Sequence, residues 1–390
     1  MKRLVAALGV TALSIFAFAG TPAATHAANG VSAQHVPVCG AVPDGFARCH
    51  SIRVDGGQVS PSASTPSGYG PTDLQSAYNL TPATRTGQTV AIVDAYDDPN
   101  AESDLGVYRS QYSLPPCTTA NGCFRKVNQS GGTKAPRANG GWAQEISLDL
   151  DMVSAICPNC NILLVEASSA SLTNLGTAVN EAANLGATEI SNSYGGSESS
   201  SDTSYDSSYY NHPGIAITVS SGDNGYGVQY PAASQYVTAV GGTTLNKAST
   251  TRGWSETVWS GAGSGCSAYD PKPSWQTDPG CSKRTVADVS AVADPNTGVA
   301  VYDSYAYQGV SGWLVFGGTS VASPIIASVY ALAGNAASVT YGSYPYSHTS
   351  SLNDVTSGSN GSCGGTYLCT GGTSYDGPTG NGTPNGTGAF

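Results

Sequence analysis

The chain has 390 residues, of which only 11% are charged, and its formal net charge is -11 at pH 7. This acidic balance argues against nucleic acid or an anionic membrane surface as a partner. Abundant Gly, Ser, Thr and Tyr with few charges favour a folded, loop-rich protein over a disordered one. A chain with few charges also repels itself little when its carboxylates protonate, so the composition is compatible with an acidic medium.

The first 27 residues have the pattern of a secretory signal peptide, with a basic start, an apolar centre and small residues at Thr25 and Ala27. We expect cleavage after Ala27 and export to the extracellular space. A membrane anchor is the alternative, but the apolar run is short, and no later stretch approaches the roughly 18 apolar residues that a spanning helix needs. The sequence therefore predicts a secreted, soluble chain, which we expect to be a monomer.

Ten cysteines in an exported chain indicate disulfides. The sequence does not determine their connectivity, and five local loops are the simplest arrangement. The neighbours are Cys39/Cys49, Cys117/Cys123, Cys157/Cys160, Cys266/Cys281 and Cys363/Cys369. A redox or zinc role for the Cys-Pro-Asn-Cys stretch is disfavoured, because no thioredoxin-like context, second CxxC or paired histidine accompanies it.

The composition of the chain changes near residue 67. Residues 28–66 are rich in Pro, Ser and Gly and read as a linker, either an N-terminal extension or a short prosegment. Residues 67–390 read as one domain. Its first element is a short helix within 72–80, and the apolar, β-branched strands that follow are 89–96, 161–167, 187–194, 214–222 and 236–242.

Helical patterns at residues 142–156 and 172–186 lie between these strands. Strands that alternate with helices predict an α/β fold with a parallel sheet covered on both faces. The Ser/Tyr-rich piece 197–210 is most simply an exposed loop or a frayed helix.

Three predicted strands end in polar, turn-prone residues: Asp94, the stretch 193–196 and the stretch 221–225. In open parallel sheets, ligand sites collect at the carboxyl ends of the strands. Simple turn chemistry explains the same residue types. Both interpretations stay open at each position.

Ser320 stands in the stretch GGTSVASP, ahead of an apolar run that predicts a buried helix ending at Gly334. We expect Pro324 to be tolerated in the first turn of this helix. A serine at a helix N-terminus has unpaired backbone N–H groups beside it that help to stabilise an oxyanion. The alternative is that Thr319 or Ser320 only caps the helix.

A nucleophilic serine needs a base, and the histidines are poorly placed to be one. His35 and His50 lie in the expected extension, His212 lies in a loop, and His348 lies near the end of the chain. None stands on an element that opens toward a predicted site. A Ser–His–Asp triad is therefore weakly supported.

Two acids on the predicted helix after Gly141 offer another base. Glu145 and Asp149 are four residues apart and share one helix face, whereas Asp151 points away. Two carboxyls this close share a proton, which raises one pKa and holds the other group ready. A solvated acid pair is the alternative, but apolar neighbours such as Ile146 indicate that the helix is partly buried.

The stretches GGTSVASP, EISLD, SNSYGG and SSGDNGYGVQYPAAS together resemble the sedolisin, or serine-carboxyl peptidase, family. The resemblance covers about residues 67–388 and implies a subtilisin-like, three-layer α/β/α fold with a mainly parallel central sheet. The serine motif alone also fits subtilisins. The Glu-x-x-x-Asp helix combined with Gly-Asp-x-Gly distinguishes the two families.

By this resemblance Ser320 is the nucleophile, Glu145 the general acid/base and Asp149 the carboxylate that orients it. Asp223 takes the place of an oxyanion-hole asparagine, so it must be protonated there. An enzyme built on these carboxyls should favour low pH. Asp94 is read as a neighbour of the site or a structural residue.

The resemblance also implies two binding sites. Ser193, Tyr194 and Gly195 form the strand edge that pairs with an extended substrate peptide. A calcium ion is held by carboxylates and main-chain oxygens, a ligand set that suits Ca²⁺. Its ligands would be the carboxylates of Asp354 and Asp376 and the main-chain oxygens of Val355, Gly372 and Ser374. Two Gly-rich turns without an ion are the alternative.

The first functional hypothesis is a secreted, acid-acting serine endopeptidase that cleaves protein or peptide substrates through an acyl-enzyme on Ser320. A second is a non-catalytic peptide-binding protein on the same fold. A third, a histidine-dependent subtilisin, requires a histidine that the sequence does not offer. One departure from the family remains, since sedolisins usually carry a long propeptide and only about 40 residues separate the expected signal peptide from the domain here.

Overall fold

The computed structural model describes Met1 and residues 33–56, 66–82 and 87–390. Residues from Ala33 to Phe390 form one compact unit. Apart from Met1, the predicted signal peptide of residues 1–27 lies outside the described residues, as does its cleavage site.

Eighteen β-strands and seven α-helices occur in this described part. The strands are β1 Gln34–Pro37, β2 Arg48–Cys49, β3 Ile52–Asp55, β4 Thr89–Ala95, β5 Phe124–Asn128, β6 Asn161–Ala167, β7 Glu189–Asn192, β8 Tyr194–Gly195, β9 Ala216–Ser220, β10 Thr238–Lys247, β11 Trp254–Val258, β12 Gly265–Pro271, β13 Lys283–Val286, β14 Val289–Val292, β15 Val299–Tyr307, β16 Val310–Gly317, β17 Leu352–Asn353 and β18 Thr383–Pro384. The helices are α1 Pro71–Ala77, α2 Ala101–Gln111, α3 Gly140–Ile156, α4 Leu172–Asn184, α5 Asp202–Tyr205, α6 Thr319–Ala333 and α7 Tyr344–Ser347.

The central sheet has the strand order β11-β10-β9-β7-β4-β6-β5, and β14 pairs with β10. All of these pairings are parallel except the antiparallel one between β10 and β11. The predicted parallel sheet is therefore confirmed. Strands β4, β6, β7 and β9 are buried along nearly their whole length, which is why they read in the sequence as apolar runs without alternation.

Helices cover both faces of this sheet. Successive side chains of a strand point to opposite faces, and on β4 Val90 and Ile92 belong to the apolar cluster that holds Ile146 of α3. The alternate residue Val93 belongs to the larger cluster that holds Leu175 of α4. The fold is the three-layer α/β/α arrangement expected from the sequence.

The segment of residues 33–56 differs from the linker that its composition predicts. Strands β1 and β3 pair with each other, and β3 also pairs with β16 to give a four-stranded sheet of order β1-β3-β16-β15. Val38, Ala47 and Cys49 in this segment are buried in the main core. Composition did not reveal this, because the contacts are made with residues far along the chain.

Two smaller expectations also need correction. Within 197–210 the structure has α5 followed by a π-helical turn, and Asp206 and Tyr210 are buried, so this piece is not simply exposed. Pro324 lies in the second turn of α6, not the first. Gly334 ends that helix in the left-handed region with φ 68°, as predicted.

The five local disulfides are confirmed. They close loops with sequence separations between 3 and 15 residues, so each stiffens one short segment. Among the described helices, none is both long and apolar enough to cross a bilayer.

Candidate active site

Helix α3 carries two acids into the interior at the carboxyl end of the sheet. The side chain of Asn139 caps the helix by accepting from the N–H groups of Gly141 and Trp142. Glu145 and Asp149 on this helix are fully buried. Asp151 is turned elsewhere, and its Oδ2 accepts from the N–H of Tyr302 at 2.9 Å.

Asp94, at the end of β4, lies next to these two acids, and together they form the acid cluster. Both oxygens of Asp94 and of Glu145, and Oδ2 of Asp149, have no hydrogen-bond partner within the described residues. Burial raises the pKa of Asp94 to about 8. Burial, and secondly the charge of Asp94, raises the pKa of both Glu145 and Asp149 well above the usual range. Such a cluster holds fewer negative charges than it has carboxyls.

Ser320 is the second residue of α6, and its hydroxyl donates to the carbonyl of Ser193 at 3.2 Å. The hydroxyls of Ser320 and Ser51 lie close enough to Glu145 to lower its pKa, although neither makes a hydrogen bond of ordinary geometry with it. The candidate nucleophile and the candidate base are therefore neighbours.

Pro324 changes the hydrogen bonding around this serine. It has no N–H, so the carbonyl of Ser320 lacks its usual helical donor. The hydroxyl of Ser193 donates to Asp149 Oδ1 at 2.8 Å, and the carbonyl of Ser320 shares the same hydrogen at a longer distance of 3.4 Å. Ser193 thus joins the nucleophile's turn to the acid cluster.

Asp223, in the loop after β9, lies against the first residue of α6. Its Oδ1 accepts from the N–H and the hydroxyl of Thr319, both at 2.8 Å. Burial raises the pKa of Asp223 to about 7, although the two bonds from Thr319 act in the opposite direction. Below that pH the group is a neutral acid whose Oδ2 can donate a hydrogen bond.

The strand edge at Ser193, Tyr194 and Gly195 is occupied by this same chain. Strand β2 pairs antiparallel with β8, with Arg48 opposite Gly195 and Cys49 opposite Tyr194. An edge of this kind binds extended peptide through main-chain hydrogen bonds. The structure shows the edge already paired with such a peptide.

His50 lies beside the site, a placement that the sequence did not indicate. Its ring is 1% exposed, with Nδ1 2.7 Å from Ser220 Oγ and Nε2 2.9 Å from Gln229 Oε1. Burial lowers the pKa of His50 to about 3. Because both ring nitrogens contact other side chains, this histidine is not in position to take a proton from Ser320.

The residues expected to bind calcium come together in two loops near the C-terminus. Asp354 Oδ2 accepts from the N–H of Ser374 at 2.9 Å, and Asp376 Oδ2 accepts from the N–H of Gly372 at 3.1 Å. Val355 follows Asp354 directly and is buried. Burial raises the pKa of Asp376 to about 7, and Asp354 contributes in the same direction. Within the described residues, neither Asp354 nor Asp376 forms a salt bridge.

Comparison with known proteins places this site in a family. A profile of the subtilase family matches residues 129–350, which is more than half of the chain. The chain is 30% identical to sedolisin from Pseudomonas sp. (strain 101) over 378 residues. It is also 30% identical to kumamolisin from Bacillus sp. (strain MN-32) over 308 residues.

These alignments cover 83% and 69% of this chain but 60% and 52% of the two relatives, so the chain spans little more than half of their lengths. Among solved structures, Pseudomonas sedolisin, a serine-carboxyl proteinase complexed with pseudo-iodotyrostatin, aligns with a TM-score of 0.68 and 28% identity. That alignment covers 82% of this chain and 96% of the solved one. Sphericase, with a TM-score of 0.52 and 16% identity, shares the fold. The chain therefore belongs to the subtilase family and is a sedolisin-like member of it, as its motifs predicted.

Proposed function

We propose that this chain is a secreted, acid-acting serine-carboxyl endopeptidase. The observation that carries the proposal is the buried acid cluster next to Ser320, where a histidine-dependent peptidase would have an imidazole. Similarity to sedolisin and kumamolisin supports the same activity. The substrates would be proteins or peptides, and the five disulfides agree with an extracellular site of action.

In the proposed mechanism Glu145 takes the proton of Ser320 as Oγ attacks the substrate carbonyl. Glu145 can act as this base in the form of the cluster in which Glu145 is ionised and a neighbouring carboxyl keeps its proton. Asp149 fixes the orientation of Glu145 and is itself held by the hydroxyl of Ser193. Glu145 then gives the proton to the leaving amine, and a water molecule hydrolyses the acyl-enzyme by the same route in reverse.

Asp223 would stabilise the oxyanion as a neutral acid. With Oδ1 held by Thr319, its Oδ2 is left to face the reacting carbonyl. A carboxylate there would repel the developing charge, so the rate should fall as Asp223 deprotonates. This requirement for a protonated Asp223 is the physical reason for the loss of activity that we expect as the pH rises.

We also propose that Asp354 and Asp376 hold one Ca²⁺ together with main-chain oxygens of Val355, Gly372 and Ser374. The ion would tie the two loops together and neutralise their carboxylates, which is a structural role. The site is separate from the acid cluster and takes no part in the reaction.

The test is hydrolysis of an unfolded protein substrate between pH 2 and 9 by the wild type, Ser320→Ala and Glu145→Gln. Acid activity that both substitutions lower by several orders of magnitude is the expected result. Activity that peaks near neutrality and survives Glu145→Gln would show a different base. Peptide binding without hydrolysis at any pH would show a binding protein instead.

A further inference from the structure

A second group of carboxyls lies outside the proposed active site. Glu198 precedes α5, Asp202 is the first residue of that helix, and Asp270 lies on β12. One carboxylate oxygen from each of these three residues lies within 4.8 Å of the other two. Asp206, in the π-helical turn after α5, is next to Asp270. We call these four residues the second carboxyl cluster.

Asp270 is buried without any hydrogen bond that would account for its position. Its side chain is 0% exposed, yet neither carboxyl oxygen has a hydrogen-bond partner of ordinary geometry among the described residues. Lys272 does not neutralise it, since Lys272 Nζ pairs with Asp278 at 2.8 Å. Burial of a carboxyl without a donor or a cation is costly. Both oxygens of Asp270 are therefore available to a ligand inside the cluster.

Two other members are fixed by donors that favour the charged form. Asp202 Oδ2 accepts from the N–H of Ser199 and its Oδ1 from the hydroxyl of the same residue, both at 2.8 Å. Glu198 Oε2 accepts from the N–H of Ala268 at 3.2 Å, and its Oε1 accepts from the hydroxyl of Ser267. Such bonds stabilise a carboxylate. Each carboxylate has about four lone-pair positions, so both still have room for a cation.

No positive side chain balances these charges. Within the part of the chain that the structure describes, no salt bridge involves any of the four residues. Ionised carboxyls this close repel one another, and a divalent cation relieves that repulsion. A set of oxygen ligands suits Ca²⁺, and two oxygens bound to one such ion lie at most roughly 4.6–5.2 Å apart. The observed spacing therefore permits a single shared ion.

We propose that the second carboxyl cluster binds one Ca²⁺, with Glu198, Asp202 and Asp270 as its carboxylate ligands. The cluster shares no residue with the site proposed at Asp354 and Asp376. Glu198 is only partly buried, which gives the ion a path from solvent. The ion would tie the start of α5 to β12. No step of the proposed hydrolysis depends on it.

Protons are the alternative way to lower the charge of this cluster. Burial, and secondly the charge of Asp206, raises the pKa of Asp270 to about 9, and the two carboxyls are close enough to share a proton. That proton would join Asp206 to Asp270 only. It would not explain why Glu198 and Asp202 also converge on Asp270. The two alternatives differ at pH 7, where only the proposed cation site takes up Ca²⁺.

The experiment counts the Ca²⁺ ions that the full-length Ser320→Ala chain binds at pH 7 after treatment with a chelator. Isothermal titration calorimetry with CaCl₂ gives the number and the affinity. Asp376→Asn in this background removes a ligand of the other proposed site, and we expect one bound Ca²⁺ to remain. Adding Asp270→Asn should weaken that binding by about 100-fold or more, because loss of a group that only hydrogen-bonds to a ligand already costs about 10–100-fold.

Glu198→Gln and Glu189→Gln form a matched pair in the same background. Glu198 is a proposed ligand and is only partly buried, so its substitution should weaken Ca²⁺ binding without unfolding the chain. Glu189 also has an unpartnered, buried oxygen, but it lies on β7 outside the cluster, so its substitution should leave binding unchanged. Circular dichroism without calcium checks that each variant is folded. If Asp270→Asn does not fold, this pair decides the outcome.

Two results would overturn the inference. A folded Asp376→Asn chain that binds no Ca²⁺ would favour the shared proton. A bound ion that resists both Asp270→Asn and Glu198→Gln would lie elsewhere. Neither result bears on the proposed peptidase activity, which is measured separately with Ser320 intact. If Asp376→Asn removes no ion but Asp270→Asn removes one, the second carboxyl cluster stands and the site at Asp354 and Asp376 fails.

Discussion

Asp223 shows how one side chain can set the pH range of a site. One carboxyl oxygen of Asp223 is fixed by Thr319, and the other faces the carbonyl of His50. Asp223 can donate a hydrogen bond to a carbonyl in that place only while the carboxyl is protonated. Burial raises its pKa to about 7. The acid form is therefore the main form throughout the acidic range.

A substitution at this residue tests that interpretation. Asp223→Asn keeps an acceptor for Thr319 and supplies an N–H donor at every pH, so it should retain activity and extend it to higher pH. Asp223→Ala, the control, removes the donor and should lower kcat by about 10²–10³-fold. If Asp223→Asn lost activity at the same pH as the wild type, another group would be responsible for that loss. Steady-state kinetics on a peptide substrate, measured as a function of pH, give the comparison.

His50 predicts a second pH effect, in the opposite sense. In the segment of residues 33–56, which is docked on the edge of β8, its pKa falls from 6.5 to about 3, mainly through burial and secondly through Arg48. Because the docked state excludes the charged ring, docking is strongest above pH 6.5 and weakens as the pH falls toward 3. Acid would thus loosen the segment.

In the Ser320→Ala chain, a labelled peptide should therefore compete with β2 for the edge of β8 better at pH 4 than at pH 7. His50→Gln in the same background cannot titrate, so the difference between the two pH values should shrink. Equal pH dependence with and without the imidazole would show that other groups control docking. Fluorescence anisotropy of the labelled peptide measures both.

At the scale of elements, the loops that flank the proposed calcium site are held by few regular contacts. Strands β17 and β18 beside them have two residues each. A bound ion would therefore contribute strongly to local stability. Removal of calcium by a chelator should lower the Tm, and added Ca²⁺ should restore it.

The matched variants are Asp376→Asn and Asp278→Asn. The first removes a proposed ligand and should reduce the response of the Tm to calcium. The second changes a nearby acid that is paired with Lys272 and is not a proposed ligand, so the response should persist. An unchanged Tm with chelator in the wild type would count against a calcium site here. Differential scanning calorimetry on the Ser320→Ala chain avoids self-digestion.

The molecule contains many buried acids, and together they determine whether its stability rises or falls with pH. Burial raises the pKa values of Glu189 and Asp94 to about 8 and that of Asp303 to about 7. The folded state then binds more protons than the unfolded state between about pH 4 and 8, so stability falls as the pH rises through that window. Each such group contributes up to about 1.4 kcal/mol per pH unit.

We expect the Tm of Ser320→Ala to be higher at pH 4 than at pH 8, at equal ionic strength. Glu189→Gln provides the control outside the site, because Glu189 is fully buried and bonded to Thr188 only through Oε2. That variant should gain stability at pH 8 and change little at pH 4. A Tm that rises between these pH values would contradict the expected sign.

Several features of this protein could be read from its sequence because they depend on neighbours along the chain. Strand and helix periodicity, the stop at Gly334 and the close cysteine pairs are local patterns, and the structure has all of them. The spacing of Glu145 and Asp149 likewise fixes one shared helix face, whatever surrounds the helix. The motifs that resemble the sedolisin family also predicted the fold.

Tertiary structure alone decided where the segment of residues 33–56 lies. Its composition indicates a linker, yet it pairs with β8 and β16, whose residues are more than 100 positions away. The edge that it covers exists only once the central sheet has formed, and strand pairing depends on main-chain groups that every residue type carries. For that reason no pattern within 33–56 reveals its partner, and the sequence does not predict that His50 is buried beside Ser320.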